Sequence, residues 1–382
     1  MHPGLFELSE AQVLVRDTAR NYAQKTLAPI AARLDREGRF PRDQLLELAE
    51  LGMMGVNVPE QYGGAQAGAV AYALAMLEIA QGCASTAVTM AVNNLVAETI
   101  CKFGTEEQKQ RYVPEITSGR FAAASFGLSE PHAGSDAGAL RTTARRDGNQ
   151  YVINGSKQWI TSGDQAGVII VWARTGEPGT RGISAFLVEG GASGLHIGRH
   201  EDKMGLRASS TVSLSFEDVR VPATAMLGPE GRGFSIALSG LDSGRVGIAC
   251  QAIGIGLAAL DCAVRYAKER RAFGEPIASF QAIRFALADV ATELDAARLL
   301  ALRAAALKEA GRPFTRAGSM AKVFGSEKAN RACDVAVQVH GGYGYIGEFP
   351  AERHYRDVRI TTIYEGSSEI QRIVIARDLL KD

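Results

Sequence analysis

The spacing of apolar residues changes twice along this chain, and those two changes bound the folds open to it. After Gly233, apolar residues recur at helical spacing over Ala252 to Ala267, Phe280 to Ala310 and Arg316 to Val339, with a shorter pattern near Ile370 to Leu380. Gly311-Arg-Pro313 separates the second and third, as a short loop separates antiparallel helices of a bundle. The first part of the chain is also helical in pattern. Ser9 with Gln12 and Thr105 with Gln108 fit capping boxes, and Pro41 fits a first-turn position ahead of Leu45, Leu46, Leu48, Leu51 and Met54. Between Phe121 and Pro222 the texture shifts to short β-branched and aromatic runs broken by Gly, Asn and Asp. Tyr151-Val-Ile before Asn154-Gly155 predicts a hairpin, and Val168 to Trp172, Ile183 to Val188 and Thr211 to Phe216 predict strands. The chain thus reads as mainly α with a central β domain: helical over 1–120, β over 121–225 and a helical bundle over 226–382.

Charge excludes several function classes. The 382 residues hold 42 basic and 42 acidic side chains, so no net field gathers a polyanion, and no dense Lys/Arg stretch does so locally; nucleic acid is not an expected partner. The apolar window Ala84 to Phe103 is interrupted by Asn93, Asn94, Glu98 and Lys102, so no membrane insertion is expected. Met1-His2-Pro3-Gly4 leads quickly to Glu7 and Glu10 without a basic-then-apolar leader, and the five scattered cysteines lack a C-x-x-C pair. Both features predict reduced thiols and a cytoplasmic location.

Three motifs fail on context. Gly254-x-Gly256-x-x-Ala259 lies inside a helical pattern with no strand before it, so it is helix packing and not a dinucleotide fingerprint. Gly342-x-Gly344-x-x-Gly347 matches that fingerprint but leads into Glu348-Phe-Pro350, which leaves room for a nucleotide contact without a Rossmann unit. His196 and His200 fall in a β-textured stretch where four residues span about 13 Å, too far for one metal. No G-x-S-x-G elbow supports a serine hydrolase.

Four segments carry chemistry. Phe126-Gly-Leu-Ser-Glu-Pro-His-Ala-Gly-Ser-Asp136 combines small residues with hydroxyls, which lets backbone amides approach a flat polar ring or a phosphate; a solvated loop fits equally. Trp159-Ile-Thr161 offers an aromatic face beside a hydroxyl, or a core tryptophan. Arg270-Arg271-Ala-Phe-Gly274 ends a helix with two arginines suited to a pyrophosphate or merely to the helix dipole. Ile363-Tyr-Glu-Gly366 sets a carboxylate between an apolar aromatic stretch and a glycine; a lone Glu is far more often surface than catalytic.

In this order and separation the segments resemble the acyl-CoA dehydrogenase family over essentially the whole chain. Within it the likeness is to the short-chain (butyryl-CoA) branch, through Leu241-Asp-Ser-Gly-Arg245 and the run from Pro350-Ala-Glu-Arg-His-Tyr-Arg-Asp357 to Ile363-Tyr-Glu-Gly366-Ser-Ser-Glu-Ile-Gln-Arg372. The resemblance implies a helical N-terminal domain, a β-barrel-like middle domain and a C-terminal four-helix bundle, assembled as a homotetramer with FAD. By matching position, Phe126, Leu128, Ser129, Gly134, Ser135, Trp159, Ile160 and Thr161 would meet the flavin half or the substrate beside it. Arg270, Phe273, Gln281, Gln338, Gly341 and Gly342 would hold the adenosine-diphosphate half, partly from a neighbouring subunit, with Ser367 and Glu369 also along the cofactor.

The same resemblance assigns Glu365 as the base that removes the thioester α-proton, with its backbone N–H polarising the carbonyl and the β-hydrogen leaving as hydride to the flavin. Desolvation beside Ile363 and Tyr364 is expected to raise the carboxylate's pKa towards neutrality. Some family members place the base one position before the residue matched by Arg245; here that position is Gly244, which cannot take a proton. Asp242, Arg245, Tyr364, Gly366 and Ser135 match substrate contacts, and Gln251 and Thr361 match residues that shorten the acyl pocket to about four carbons. His132, Phe126 and Glu369 depart from the usual family residues. The implied function is FAD-dependent α,β-dehydrogenation of short-chain acyl-CoA with electrons passed to an electron-transferring flavoprotein. A medium- or branched-chain enzyme, an acyl-CoA oxidase and a catalytically silent flavin- or acyl-CoA-binding relative stand as alternatives.

Overall fold

The computed structural model describes residues 7–381, so Met1-His2-Pro3-Gly4 lies outside the described residues. Six helices open the chain: α1 Glu10–Tyr22, α2 Ala28–Glu37, α3 Arg42–Glu50, α4 Ala69–Gly82, α5 Ala84–Phe103 and α6 Glu106–Thr117. Both capping boxes form reciprocally, at Ser9 with Gln12 and at Thr105 with Gln108. Pro41 stands one residue ahead of α3 as its N-cap. The helices α4 and α5 are buried on nearly every face, which is why their sequences show no clean stripe.

The middle region is one eight-stranded sheet of β1 Ala123–Gly127, β2 Thr143–Asp147, β3 Gln150–Thr161, β4 Ala166–Arg174, β5 Ile183–Glu189, β6 Leu195–His200, β7 Thr211–Pro222 and β8 Met226–Leu227. The order is β6-β7-β3-β2-β4-β5-β8, with β1 parallel to β4, so the sheet keeps two edges and does not close. β4 is buried on both faces. Val168, Ile170 and Trp172 pack towards α5 and α6, while Ile169, Val171 and Ala173 join Tyr151, Phe186 and Phe216 on the other side.

The Asn154-Gly155 hairpin does not form. β3 runs straight through the pair, which makes a bulge against β7, and the tight turn lies earlier, between β2 and β3. Asn154 is held in the ladder by reciprocal bonds with Asp218, each 2.9 Å. Gly155, at φ +144°, passes so close to Thr142 that a Cβ would sit 2.7 Å from its Cα.

Beyond the sheet, α7 Gly233–Glu269, α8 Gln281–Glu309 and α9 Thr315–His340 pack on one another, and α10 Ala351–Val358 and α11 Ser368–Leu379 lie on α9. α7 begins well before Ala252, because Gly240, Gly244 and Gly247 break the apolar pattern at points where it meets its neighbours. Among the described residues the same helix, and not Ala84 to Phe103, is the one long and apolar enough to cross a bilayer, yet 78% of its most apolar window is buried inside the protein. Arg270 to Gly274 does not simply end that helix. Arg271–Ala272 (β9) and Glu275–Pro276 (β10) form a small hairpin turned by Phe273 and Gly274, both at positive φ.

One arginine ties the three regions together. Arg356 on α10 donates twice to Asp35 on α2, at 3.2 and 2.7 Å, twice to Glu352, at 2.6 and 3.0 Å, and once to Met204 O on the loop after β6, at 3.2 Å. Next to it, the Asp357 carboxylate accepts from Leu206 N at 2.6 Å. Removing one partner of a buried pair leaves the other charge uncompensated. Arg356→Met is therefore expected to destabilise the protein by on the order of 3 kcal/mol, read as a lowered thermal midpoint, with little effect on the local helix content.

Candidate active site

The turn from Ile363 to Gly366 joins a 3-10 turn to α11, and it holds Glu365 in a conformation that side chains rarely adopt. Glu365 has φ +54° and Gly366 φ +88°. Holding a non-glycine residue there costs energy, so the surroundings must fix it. They do so from three sides. Ser367 caps α11, accepting from Ile370 N. Gln371 Nε2 donates back to Glu365 O at 3.3 Å and to Gly366 O at 2.9 Å. Lys322 Nζ, on a fully buried side chain of α9, donates to Gly366 O at 2.7 Å.

Of the carboxylate this turn presents, Oε2 is buried without a hydrogen-bond partner, on a residue that is half-buried overall. Burial pushes its pKa up to about 7, against the opposing fields of Lys322 and Arg245. It lies against α7 at Gly244, where an added Cβ would stand 2.5 Å from Oε2, so only glycine leaves the carboxylate this position. Among the described residues, neither the Glu365 nor the Gly366 backbone N–H is donated to a protein acceptor. A carboxylate and free N–H donors thus share one turn.

Around it, Arg245 is 4% exposed and bonded to Asp242 at 2.5 Å, and Asp242 also accepts from Thr315 Oγ1 at 2.7 Å. Gln251 and Thr361 are both fully buried. Gln251 Nε2 donates to Ala84 O at 3.0 Å and its Oε1 accepts from the Tyr364 hydroxyl, while Thr361 Oγ1 donates to Val358 O at 2.7 Å. Both polar side chains are therefore fixed in place, one of them against the residue before Glu365.

In the middle region, the segment from Phe126 to Asp136 is tied to the end of β3. Ser129 O accepts from Gln158 N at 2.9 Å, and Ser125 Oγ donates to Thr161 O at 2.7 Å. Beneath them lies a buried pair: Lys157 Nζ donates to Glu130 Oε1 at 2.8 Å and Leu128 O at 3.2 Å, and Glu130 also accepts from Arg141 N at 2.6 Å and Thr142 N at 3.0 Å. Burial pushes the Lys157 ammonium down to about 8, and Glu130 opposes that shift. Leu128 and Ile160 are buried, Ser129 and Thr161 half-buried, and Gly134 and Ser135 exposed. Phe126 packs on Trp172 with ring centroids 4.2 Å apart, whereas Trp159, at φ +62° on a bulge of β3, is 62% exposed. Trp159 is therefore not a core residue. Its indole is an open aromatic face at the lip of the Phe126 to Asp136 loop.

A separate cleft of about 470 Å³ lies at the far end of α7 and α9, lined by Arg270, Gln338, Gly341 and Gly342 with Tyr266 and Tyr343. A Cβ at Gly341 or Gly342 would meet nothing within 4 Å. Phe273 projects from its hairpin 95% exposed, and Gln281 opens α8. None of the residues from Phe126 to Ser135 or Trp159 to Thr161 lines this cleft. Ser367 and Glu369 remain beside Glu365, at the start of α11. His196 and His200 lie extended on β6, and among the described residues no group of three or more His, Cys, Asp or Glu side chains is placed to hold a metal.

Family models cover this arrangement from end to end: an acyl-CoA dehydrogenase N-terminal domain over residues 9–120, a middle domain over 125–219 and a C-terminal domain over 231–380. The chain belongs to the acyl-CoA dehydrogenase family. It is 54% identical to the mitochondrial short-chain specific acyl-CoA dehydrogenase of Bos taurus, over 98% of this chain and 91% of that one. The butyryl-CoA dehydrogenase of Megasphaera elsdenii superposes with a TM-score of 0.96 at 42% identity, covering 98% of this chain and all of that chain. A glutaryl-CoA dehydrogenase from Mycobacterium smegmatis in complex with FADH2 superposes at 0.93 with 31% identity, over 98% and 95%.

Sequence reasoning passed over Lys322, Gln371, Lys157 and the role of Glu130 within its own motif. Lys322 sits in Ser319-Met-Ala-Lys-Val-Phe324, where a lysine in an otherwise small and apolar helical stretch is the only signal available. As for Glu365, its protonated carboxyl is expected to give an infrared C=O stretch that fades as pH rises through about 7. That band should be absent from Glu365→Gln.

Proposed function

We propose that this acyl-CoA dehydrogenase family member removes the α and β hydrogens of short-chain acyl-CoA thioesters, giving trans-2-enoyl-CoA, with FAD as its cofactor. The observation that carries the reading is the buried, partnerless Oε2 of Glu365, a carboxyl raised to about 7, on the same turn as free backbone donors. A structural carboxylate is normally paired; a base must leave a lone pair open towards its proton.

The residues fit FAD on their own features. The exposed Trp159 indole, the hydroxyls of Ser129 and Thr161 and the open backbone at Gly134 suit a flat polar ring. The cleft with Arg270, Gln338, Gly341 and Gly342 suits a nucleotide diphosphate. When bound, FAD supplies the acceptor for the β-hydride. Because the two sets lie apart on one chain, and Phe273 stands out in solvent, we assign the far cleft with Phe273 and Gln281 to a neighbouring subunit's cofactor within a homotetramer. The glutaryl-CoA dehydrogenase complex with FADH2 supports the cofactor.

Chemistry then falls to the turn. The Glu365 N–H donates to the thioester carbonyl and makes the α-hydrogen more acidic, and Glu365 Oε2, itself shielded from water, takes that proton. Arg245 and Asp242, fixed to each other and to Thr315, line the approach together with Gly366. Gln251 and Thr361 close the acyl end, which sets the preference for about four carbons. The names of the Bos taurus and Megasphaera elsdenii relatives support short chains. Electrons then leave to an electron-transferring flavoprotein, and the five free thiols suit a cytoplasmic location.

Anaerobic butyryl-CoA is expected to bleach the yellow holoprotein, without hydrogen peroxide release on admitting air. Glu365→Gln should bind FAD and butyryl-CoA yet lose bleaching by about 10²-fold or more. Normal bleaching in that variant refutes the assignment; prompt peroxide would mark an oxidase. In a second test, Gln251→Ala opens the acyl end, and kcat/KM for hexanoyl-CoA relative to butyryl-CoA should rise about tenfold.

A further inference from the structure

Lys322 is an unusual residue to find where it lies. Its side chain is fully buried on α9, and among the described residues its ammonium forms no ion pair. Its hydrogen bond in the structure is to Gly366 O, at 2.7 Å. Gln371 Nε2 already donates to that oxygen at 2.9 Å, so a neutral amide serves the same carbonyl. A hydrogen bond alone therefore does not account for a buried charge, which is costly to desolvate. Burial indeed pushes the ammonium down to about 8, with Glu365 the foremost group opposing that shift.

The charges around Glu365 show what the lysine adds. From α7 come Arg245 and Asp242, and their direct pairing engages the arginine's charge. From α4 comes Tyr72, whose own ionisation is strongly disfavoured by burial. From α11 come Glu369, exposed and acidic, and Arg377, which faces Arg245; from α9 come Glu327, already paired with Arg372, and Lys322. Among these, Lys322 is the buried cation with no carboxylate in contact. Its field reaches Glu365 through the turn whose carbonyl it holds.

From this juxtaposition we infer that Lys322 is a positioning residue for the reaction, fixing the left-handed Glu365-Gly366 turn and supplying the buried positive charge that keeps the Glu365 carboxylate ionisable. The inference rests on the proposed role of Glu365 as base. Without such a charge, a carboxylate in this site stays protonated at neutral pH and cannot accept the α-proton. Lysine provides both parts at once: three donors on a compact cation, reaching the turn from α9, which is not one of the elements flanking it.

The test compares Lys322→Gln, Lys322→Met and Lys322→Arg in the FAD-loaded full-length protein. Each is read by flavin content, thermal midpoint, the pH profile of kcat/KM with butyryl-CoA, and the infrared titration of the Glu365 carboxyl. Lys322→Gln keeps a donor without the charge, and both it and Lys322→Met should move the acid limb and the infrared midpoint up by about one pH unit or more. Their loss of rate at neutral pH should therefore shrink as pH rises. Lys322→Arg should keep the parent's midpoint. A folded, flavin-loaded Lys322→Gln that titrates with the parent overturns the inference. So does failure of all three variants to fold, which would make the lysine a folding residue alone. If the parent does not oxidise butyryl-CoA, the proposed function fails, and the infrared midpoints still decide the role of Lys322.

Discussion

The bundle and the turn before α11 are arranged around a carboxylate oxygen, Glu365 Oε2, that is shielded from water without being given a hydrogen-bond partner. Such a group is expensive, and it survives only where the rest of the fold makes alternatives worse. Here the backbone is fixed first. Gln371 and Lys322 take up the carbonyls of Glu365 and Gly366, and Ser367 caps the helix that follows, so the side chain cannot relieve its isolation by relaxing the turn. α7 then presents Gly244, whose missing Cβ leaves room for Oε2. The long bundle helices are in this sense the frame of a single side chain.

The middle region solves a related problem in the opposite way. Its buried charge, Lys157, is paired with Glu130, and Glu130 uses its remaining lone pairs on Arg141 N and Thr142 N. A pair so well satisfied contributes modestly to stability, because desolvation offsets its attraction, but it leaves few other registers open to the loop it joins. Lys157 also donates to Leu128 O, so the Phe126 to Asp136 segment is fastened to the strand that carries Trp159. The strand from which the exposed Trp159 indole projects at positive φ is thereby fixed to that loop. The two buried lysines do different work: one locks a loop, and the other leaves its charge available to Glu365.

How much of this could be read in the sequence depended on the range of the interaction. Capping boxes at Ser9 and Thr105 are local chemistry and were legible as they stand. So were β4, β5 and β7 of the middle region, where β-branched runs alternate with turn residues, whereas β2 and β8 carry no such run. Asn154-Gly155 was misleading, because the same pair that favours a primed turn also tolerates a bulge, and the choice was made by Asp218 on another strand. α7 was underestimated since its glycines answer to partners such as Tyr72 and Glu365, which lie far away in the chain. Glu365 itself became legible only through the resemblance, and its burial, its free Oε2 and its dependence on Lys322 are properties of the fold. Arg356 was within a quoted motif, yet nothing local announced its bonds to Asp35 on α2.

Gly244 joins these strands of argument. The resemblance implies that some family members carry the base at this position of the helix and not on the turn. In the present structure the two positions are neighbours in space: a Cβ on residue 244 would fall 2.5 Å from the Glu365 oxygen. One volume therefore receives the carboxylate, and it can be entered from α7 or from the turn before α11, but not from both. A chain that enters from the turn needs glycine on the helix and a rigid left-handed backbone at 365, with donors to hold it. A chain that enters from the helix has no such need of the turn. With Glu365 in its proposed role, the strain at that residue and the buried cation behind Gly366 follow from the side chosen for the base.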